Sequence, residues 1–330
     1  IPGGRNASAF AEDQMAAIVS LRDGTRVSGQ PLDRSLSFQT AYATLDVRPE
    51  LLHRLTIDPD GQASLIMNTG ERLQGKVKNE SVAMASAIGK LSVPLSSIME
   101  IEVVGADRLA GELKEGLVLY YPFEASGGQT VTNKVGTGLE GYDFAGAQPE
   151  GFFGPGRHFH GENQYVRVPN PATLNSRAFT IACWCRTADP APTSPRGLFG
   201  KRKDGYDSHA FWLHLQGQTL NLQMAGSSRG NSRTSASAEA IRNKWGLVTV
   251  AFDGNQARLY VNGKGVGQID VNNYSGNDLN FLIGSGSYDS NGQNPRYFWQ
   301  GDIDETMIFD RALTADQVEK LFTSAYARMN

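Results

Sequence analysis

Asp302 and Asp304 stand two apart in the segment Gly301-Asp-Ile-Asp-Glu305. On an extended strand, residues at that spacing share a face. A buried carboxylate needs a partner, and calcium, a hard cation, accepts carboxylate and carbonyl oxygens. The pair therefore reads either as calcium ligands or as acceptors of structural hydrogen bonds. His158-Phe-His160 likewise sets two imidazoles on one strand face, which suits zinc. No third ligand stands at a diagnostic spacing, so ordinary polar surface histidines are the better reading.

A different chemistry is offered between Gly284 and Trp299, where Gly, Ser, Asn and aromatic residues alternate. Sugars are held by rings against their apolar faces and by amides and carboxylates on their hydroxyls. Tyr288, Asp289, Asn291, Asn294, Arg296, Tyr297 and Trp299 supply such groups and would line a groove. The neighbouring segment 200–209 adds charge and Tyr206. The alternative is that Tyr297 and Trp299 pack at an edge of the fold and the rest is solvated loop. Trp184, Trp212 and Trp245 lie in or beside apolar runs and read as core.

Two patterns match catalytic motifs without their context. Gly226-Ser-Ser-Arg-Gly230 has the spacing of a nucleophile elbow, which needs a strand before it and a helix after it. A Ser/Gly/Arg loop follows instead. Gly263-Lys-Gly-Val-Gly267 lies in a β-turn with no helix behind it, so it is no phosphate loop. Cys183 and Cys185 share a strand face on extended backbone, a geometry that does not favour a bond between them. Both read as small buried hydrophobes.

These residues must be positioned by elements, and the composition says which. The 330 residues suffice for about two domains. Glycine, at 37 residues, implies many tight turns and so many short strands. A net charge of -3 attracts no phosphate backbone, so nucleic acid is not an expected partner. No apolar run reaches the roughly 18 residues of a membrane-spanning helix. The chain opens Ile-Pro-Gly-Gly without a Met; no signal peptide is visible, and a removed one leaves no trace.

Residues 24–57 align without a gap to residues 70–103 at an offset of 46. Gly24-Thr-Arg-Val-Ser-Gly29 matches Gly70-Glu-Arg-Leu-Gln-Gly75, and Leu52, Leu55 and Ile57 match Ile98, Ile101 and Val103. Apolar residues recur at spacing two, the period of a half-buried strand. One copy is too small to close a core, so two are expected to pack as one small barrel or sandwich. The expected order is an arm over 1–17, this duplicated module over 18–104, a linker over 105–116 and a second domain over 117–330. In that domain Asp253-Gly254 and Asn262-Gly263 mark hairpins. Thr314 and Gln317 form a capping box for a closing helix with Val318, Leu321 and Phe322 on its apolar face.

Six segments of that domain carry a family likeness: Tyr120-Tyr-Pro-Phe-Glu, Phe159-His-Gly-Glu-Asn-Gln-Tyr-Val-Arg-Val-Pro, Phe179-Thr-Ile-Ala-Cys-Trp, Lys244-Trp-Gly-Leu-Val-Thr-Val-Ala-Phe-Asp-Gly, Leu259-Tyr-Val-Asn-Gly, and Gly301-Asp-Ile-Asp-Glu-Thr-Met-Ile-Phe-Asp-Arg-Ala-Leu-Thr. In this order, over about 117–325, they resemble the laminin-G-like, concanavalin A-like lectin/glucanase superfamily. The resemblance implies a jelly-roll sandwich of two antiparallel sheets, a secreted, periplasmic or cell-surface setting, and a frequent structural calcium near Asp304. The family usually has Phe-Asp-Gly where Phe159-His-Gly stands, and Asn133 replaces a common Asp; both changes remove carboxylate oxygens. Asn163 remains as a nearby oxygen donor. Laminarinase-type relatives place Glu-x-Asp-x-x-Glu on one strand, so that nucleophile and acid share a cleft. Here Asp302-x-Asp304-x-x-Met307 lacks the acid.

The chain is thus expected to be all-β: a two-sheet antiparallel jelly-roll sandwich preceded by a small β barrel or sandwich built from two repeats. The expected function is non-catalytic extracellular binding of a polysaccharide or glycan. The first alternative is a protein–protein adhesion or assembly module that meets a surface protein and has no sugar site. The second is a glycoside hydrolase with an unrecognised carboxylate pair.

Overall fold

The computed structural model describes residues 16–67, 71–86, 88–104, 109, 111–123, 129–136, 138–148, 151–153, 155–189, 191–204, 210–227 and 230–329. Its regular elements are strands in antiparallel pairs, with short helical turns and one helix of 15 residues, Ala315–Met329. The chain divides into two compact units, one reaching Glu112 and the other Leu113–Phe322; residues from Thr323 on group with the first.

The first unit is a ten-stranded sheet, ordered 44–47, 36–39, 72–77, 63–67, 52–57, 98–104, 16–21, 26–31, 81–86, 89–94. Alternation decides which side chains enter its core. Val19, Phe38, Leu55, Leu65, Met84 and Ile98 are fully buried, while the residues between them are more open. Strand Arg26–Pro31 and strand Arg72–Val77 begin 46 residues apart, as do Leu52–Ile57 and Ile98–Val104. These last two pair antiparallel at the centre of the sheet: Leu55 faces Ile101, flanked by Thr56 opposite Glu100 and Arg54 opposite Glu102.

The second unit is a sandwich. One sheet runs 146–148, 156–160, 300–309, 179–186, 246–252, 256–261, 264–270, with 117–121 also on 300–309. The other runs 130–131, 141–143, 166–168, 281–283, 196–201, 211–216, 219–227, 230–237. Phe159, Ile181, Cys183, Cys185, Val248 and Ile303 from the first sheet meet Val166, Leu213, Leu222, Phe281 and Ile283 from the second in one dry core. Both cysteines are free and buried, as read from sequence. The turn pairs behave as their chemistry demands: Gly254 has φ 98°, and Asn262 and Gly263 have φ 51° and 78°. The capping box closes with Gln317 N–H donating to Thr314 Oγ1 at 3.2 Å and Thr314 N–H donating to Gln317 Oε1 at 3.1 Å. The helix lays Val318 and Phe322 on the first sheet, where Phe322 stacks on Trp184 at 5.7 Å.

Candidate functional site

The outer face of the second sheet carries one transverse row of residues. Tyr142 pairs with Arg167, Arg167 with Leu282, Leu282 with Gly200, Gly200 with Trp212, Trp212 with Gln223 and Gln223 with Arg233. Parity explains the exposure. Val166 and Val168 are fully buried between the sheets, so Tyr165 and Arg167 point outward.

At one end of the row, rings accumulate in the open. Tyr142 is 47% exposed and Phe144 45%. Phe144 stacks on Tyr165 at 4.6 Å, and Tyr165 on Phe298 at 6.2 Å. The Arg167 guanidinium lies 4.9 Å over the Tyr142 ring and 5.7 Å over Phe144. The result is an aromatic strip with one cation set among its rings. Rings this exposed give up water readily to an apolar ligand face.

The 284–299 segment crosses the sheet beside this strip. It lies close because its contact points are glycines: a Cβ on Gly197 would collide with the backbone of Gly286, and one on Gly286 with the Trp212 ring. Beyond it stands a charged cluster. Arg202 covers Trp212 at 4.2 Å, and Trp212 stacks on His214 at 3.7 Å. Asp204 accepts from Arg202 at 3.2 Å, Tyr297 Oη at 3.3 Å and Arg296 at 3.4 Å. Burial, reinforced by Arg202 and Arg233, pushes His214 down to about 3, so its imidazole is neutral. Burial also lowers Lys201 to about 8. Its ammonium donates to Asn175 Oδ1 at 2.5 Å and to the Asn277 carbonyl.

The residues expected to line a groove in 284–299 do not all reach the surface. Trp299 is fully buried in the sandwich core, because it shares the inward parity of Gly301 and Ile303. Tyr288 is only 4% exposed, and burial pushes its hydroxyl up to about 12. Neither ring is open to a surface ligand. Asp289 accepts from the Gln293 N–H at 2.9 Å and from Asn294 Nδ2 at 2.7 Å, closing the loop tip. Asn291, Asn294 and Arg296 are exposed, and Tyr297 is half-buried against Trp212. Tyr206 lies outside the described residues. Trp212, expected in the core, is buried on the outer face instead, under Arg202 and Tyr297.

Asp302 and Asp304 do share the outer face of the first sheet, but their oxygens are taken. Asp302 accepts from Arg186 Nε at 2.6 Å and lies 2.6 Å from His158 Nδ1. Asp304 is fully buried; it accepts the N–H groups of Phe152 at 2.8 Å, Phe153 at 3.0 Å and Glu305 at 2.8 Å. Asn163 occupies an exposed left-handed turn with φ 52°. Calcium would have to displace donors from all four carboxylate oxygens, so these residues do not fit the ion. Among the described residues, no group of three or more His, Cys, Asp or Glu is placed to hold a metal. Chelation with EDTA is accordingly expected to leave the melting temperature within about 1 °C, since only a ligand of the folded state shifts it. A fall of several degrees in differential scanning calorimetry would refute this.

Residues 160–319 match the profile Laminin_G_3, described as the concanavalin A-like lectin/glucanases superfamily. No curated protein matches the sequence. Similar folds occur in the binding domain of Paraclostridial Mosquitocidal Protein 1, at a TM-score of 0.51 and 18% identity over 64% of this chain and 52% of that one. The botulinum neurotoxin serotype D binding domain gives 0.51 and 11% over the same shares. A third is a structure of botulinum neurotoxin type C, whose cell entry is described as dependent upon interaction with two ganglioside molecules. It gives 0.50 and 15% over 65% and 53%. The match spans about half the length of each of these chains.

Proposed function

We propose, from the premise that residues 160–319 form a domain of the concanavalin A-like lectin/glucanases superfamily, that the C-terminal unit is a non-catalytic carbohydrate-binding module. The surface strip of exposed Tyr142 and Phe144 with half-buried Tyr165 and Phe298 carries this reading. Pyranose rings have apolar faces that stack on such side chains, while their hydroxyls reach neighbouring polar groups. Two features favour binding over hydrolysis. Met307 stands where a glucanase acid would be and is 2% exposed, and Asp302 and Asp304 are held by Arg186 and by backbone N–H groups. The fold likeness to toxin binding domains supports a recognition role in the same sense.

A glycan array followed by calorimetry tests the reading. Phe144→Ala and Tyr142→Ala are each expected to weaken the best glycan by roughly 3- to 10-fold, the worth of one stacking contact. An array without hits at millimolar ligand, or alanine variants that bind as tightly as the parent, rejects it. Steady release of reducing ends from a polysaccharide panel rejects its non-catalytic part.

For the first unit we propose a duplicated module over 24–57 and 70–103 that serves in assembly, in a secreted, periplasmic or cell-surface protein. Tyr42 and Ile88, 99% and 84% exposed, stand 46 residues apart at two hairpin tips. Thr40 Oγ1 accepts the N–H of Tyr42 at 3.2 Å, and Ser86 Oγ accepts that of Ile88 at 3.3 Å. Paired apolar tips on fixed turns favour a protein partner for this unit.

A further inference from the structure

We infer that the sugar bound by the aromatic strip is an acidic one, and that Arg167 receives its carboxylate or sulfate. This rests on the carbohydrate reading above and sharpens it.

Arg167 is an unusual member of such a strip. A neutral sugar needs flat rings and hydrogen-bonding groups of either kind, and a guanidinium supplies donors alone. The Arg167 guanidinium is held by two rings, Tyr142 and Phe144, through their faces. Stacking on faces leaves the N–H edge free, and the planar fork of that edge matches a carboxylate or sulfate in two-point contact. No hydrogen-bond acceptor for Arg167 stands among the described residues. The nearest carboxylate in sequence to Tyr142, that of Asp143, turns inward to Arg157 at 2.5 Å and so does not serve the strip. In the cluster beyond the loop stand Arg202, Arg233 and Arg296, and among the described residues Asp204 pairs with Arg202 and Arg296. Burial first, and then the positive charge of Arg202 and Arg233, lowers the basicity of His214 there.

The test compares oligosaccharides of one length: a uronic acid oligomer, its carboxyl-reduced neutral form, and the neutral form after sulfation. Calorimetry is run on the full chain at low and high salt. The wild type is expected to prefer at least one acidic form over the neutral one by about 10- to 100-fold, the usual worth of a charge-assisted pair. That preference should shrink with salt and collapse toward unity in Arg167→Gln, with Arg167→Lys between the two. Far-ultraviolet circular dichroism and melting confirm that both variants fold. The two acidic forms tell carboxylate from sulfate. Equal affinity for neutral and acidic forms overturns the inference and leaves the carbohydrate reading standing. An unchanged preference in Arg167→Gln overturns it too, as does a glutamate oligopeptide that binds as tightly as the acidic sugars. Failure of every sugar to bind removes both readings together.

Discussion

Replacing Arg157 by Met is expected to cost about 3 to 5 kcal/mol of unfolding free energy and to abolish ligand binding at the strip. Arg157 sits on strand Gly156–His160 of the first sheet, and Asp143 on strand Gly141–Asp143 of the second. Their side chains are 2% and 1% exposed and meet at 2.5 Å, so the pair is an ionic tie across the edge of the sandwich. Arg157 also donates to the carbonyls of Phe123 and Gly156, both at 2.9 Å, and lies 5.1 Å over the Phe123 ring. Removing the cation leaves a buried carboxylate without its counter-charge, which is far worse than removing both partners. Tyr142, beside Asp143, points the other way into the strip, so detachment of strand Gly141–Asp143 takes the platform with it. Urea denaturation of Arg157→Met, Asp143→Leu and the double variant separates the contributions. The double variant should recover most of the loss of Arg157→Met. A single-variant loss below about 1 kcal/mol, or no recovery in the double, contradicts the account.

The framework of the second unit is written locally, and that is why it can be read. Alternation in Tyr165-Val-Arg-Val, the Asp-Gly and Asn-Gly pairs and the Thr314 cap each act within a few residues. The site is harder because it is assembled from strands far apart in the chain. Tyr142, Phe144, Tyr165 and Phe298 meet only after strands 141–143 and 166–168 pair and the 284–299 segment crosses the sheet. The sequence did hold one usable signal: Val166 and Val168 inward require Tyr165 and Arg167 outward. Parity would also have placed Trp299 correctly. It is in phase with Gly301 and Ile303, and out of phase with Asp302 and Asp304. Treating 284–299 as one open loop hid that phase. The carboxylates of Asp302 and Asp304 were legible as a shared face, but their donors, Arg186 and the Phe152 and Phe153 N–H groups, come from distant segments. No spacing rule reaches those partners.

Acid should weaken the second unit earlier than its carboxylates alone would require, and His214 is the cause. The residue is 6% exposed, stacked on Trp212 and faced by Arg202 and Arg233; burial first, and then the two cations, hold its imidazole at about 3 against an ordinary 6.5. Between those values the unfolded chain binds a proton that the folded chain refuses, so unfolding gains from acid. The contribution is fully present above pH 6.5, falls through the interval, and is lost near pH 3. At pH 5 the lost part is roughly 2 kcal/mol, at about 1.4 kcal/mol for each unit below 6.5. For a unit of this size that is a fall of several degrees in melting temperature. His214→Phe keeps a ring on Trp212 and carries no proton. The wild type should therefore lose about 2 kcal/mol more than His214→Phe between pH 7 and pH 5 in urea titrations. The comparison subtracts the carboxylates, which both proteins share. Equal losses would mean that the folded protein admits a proton at His214, and that burial and the neighbouring Arg202 and Arg233 do not hold the imidazole neutral.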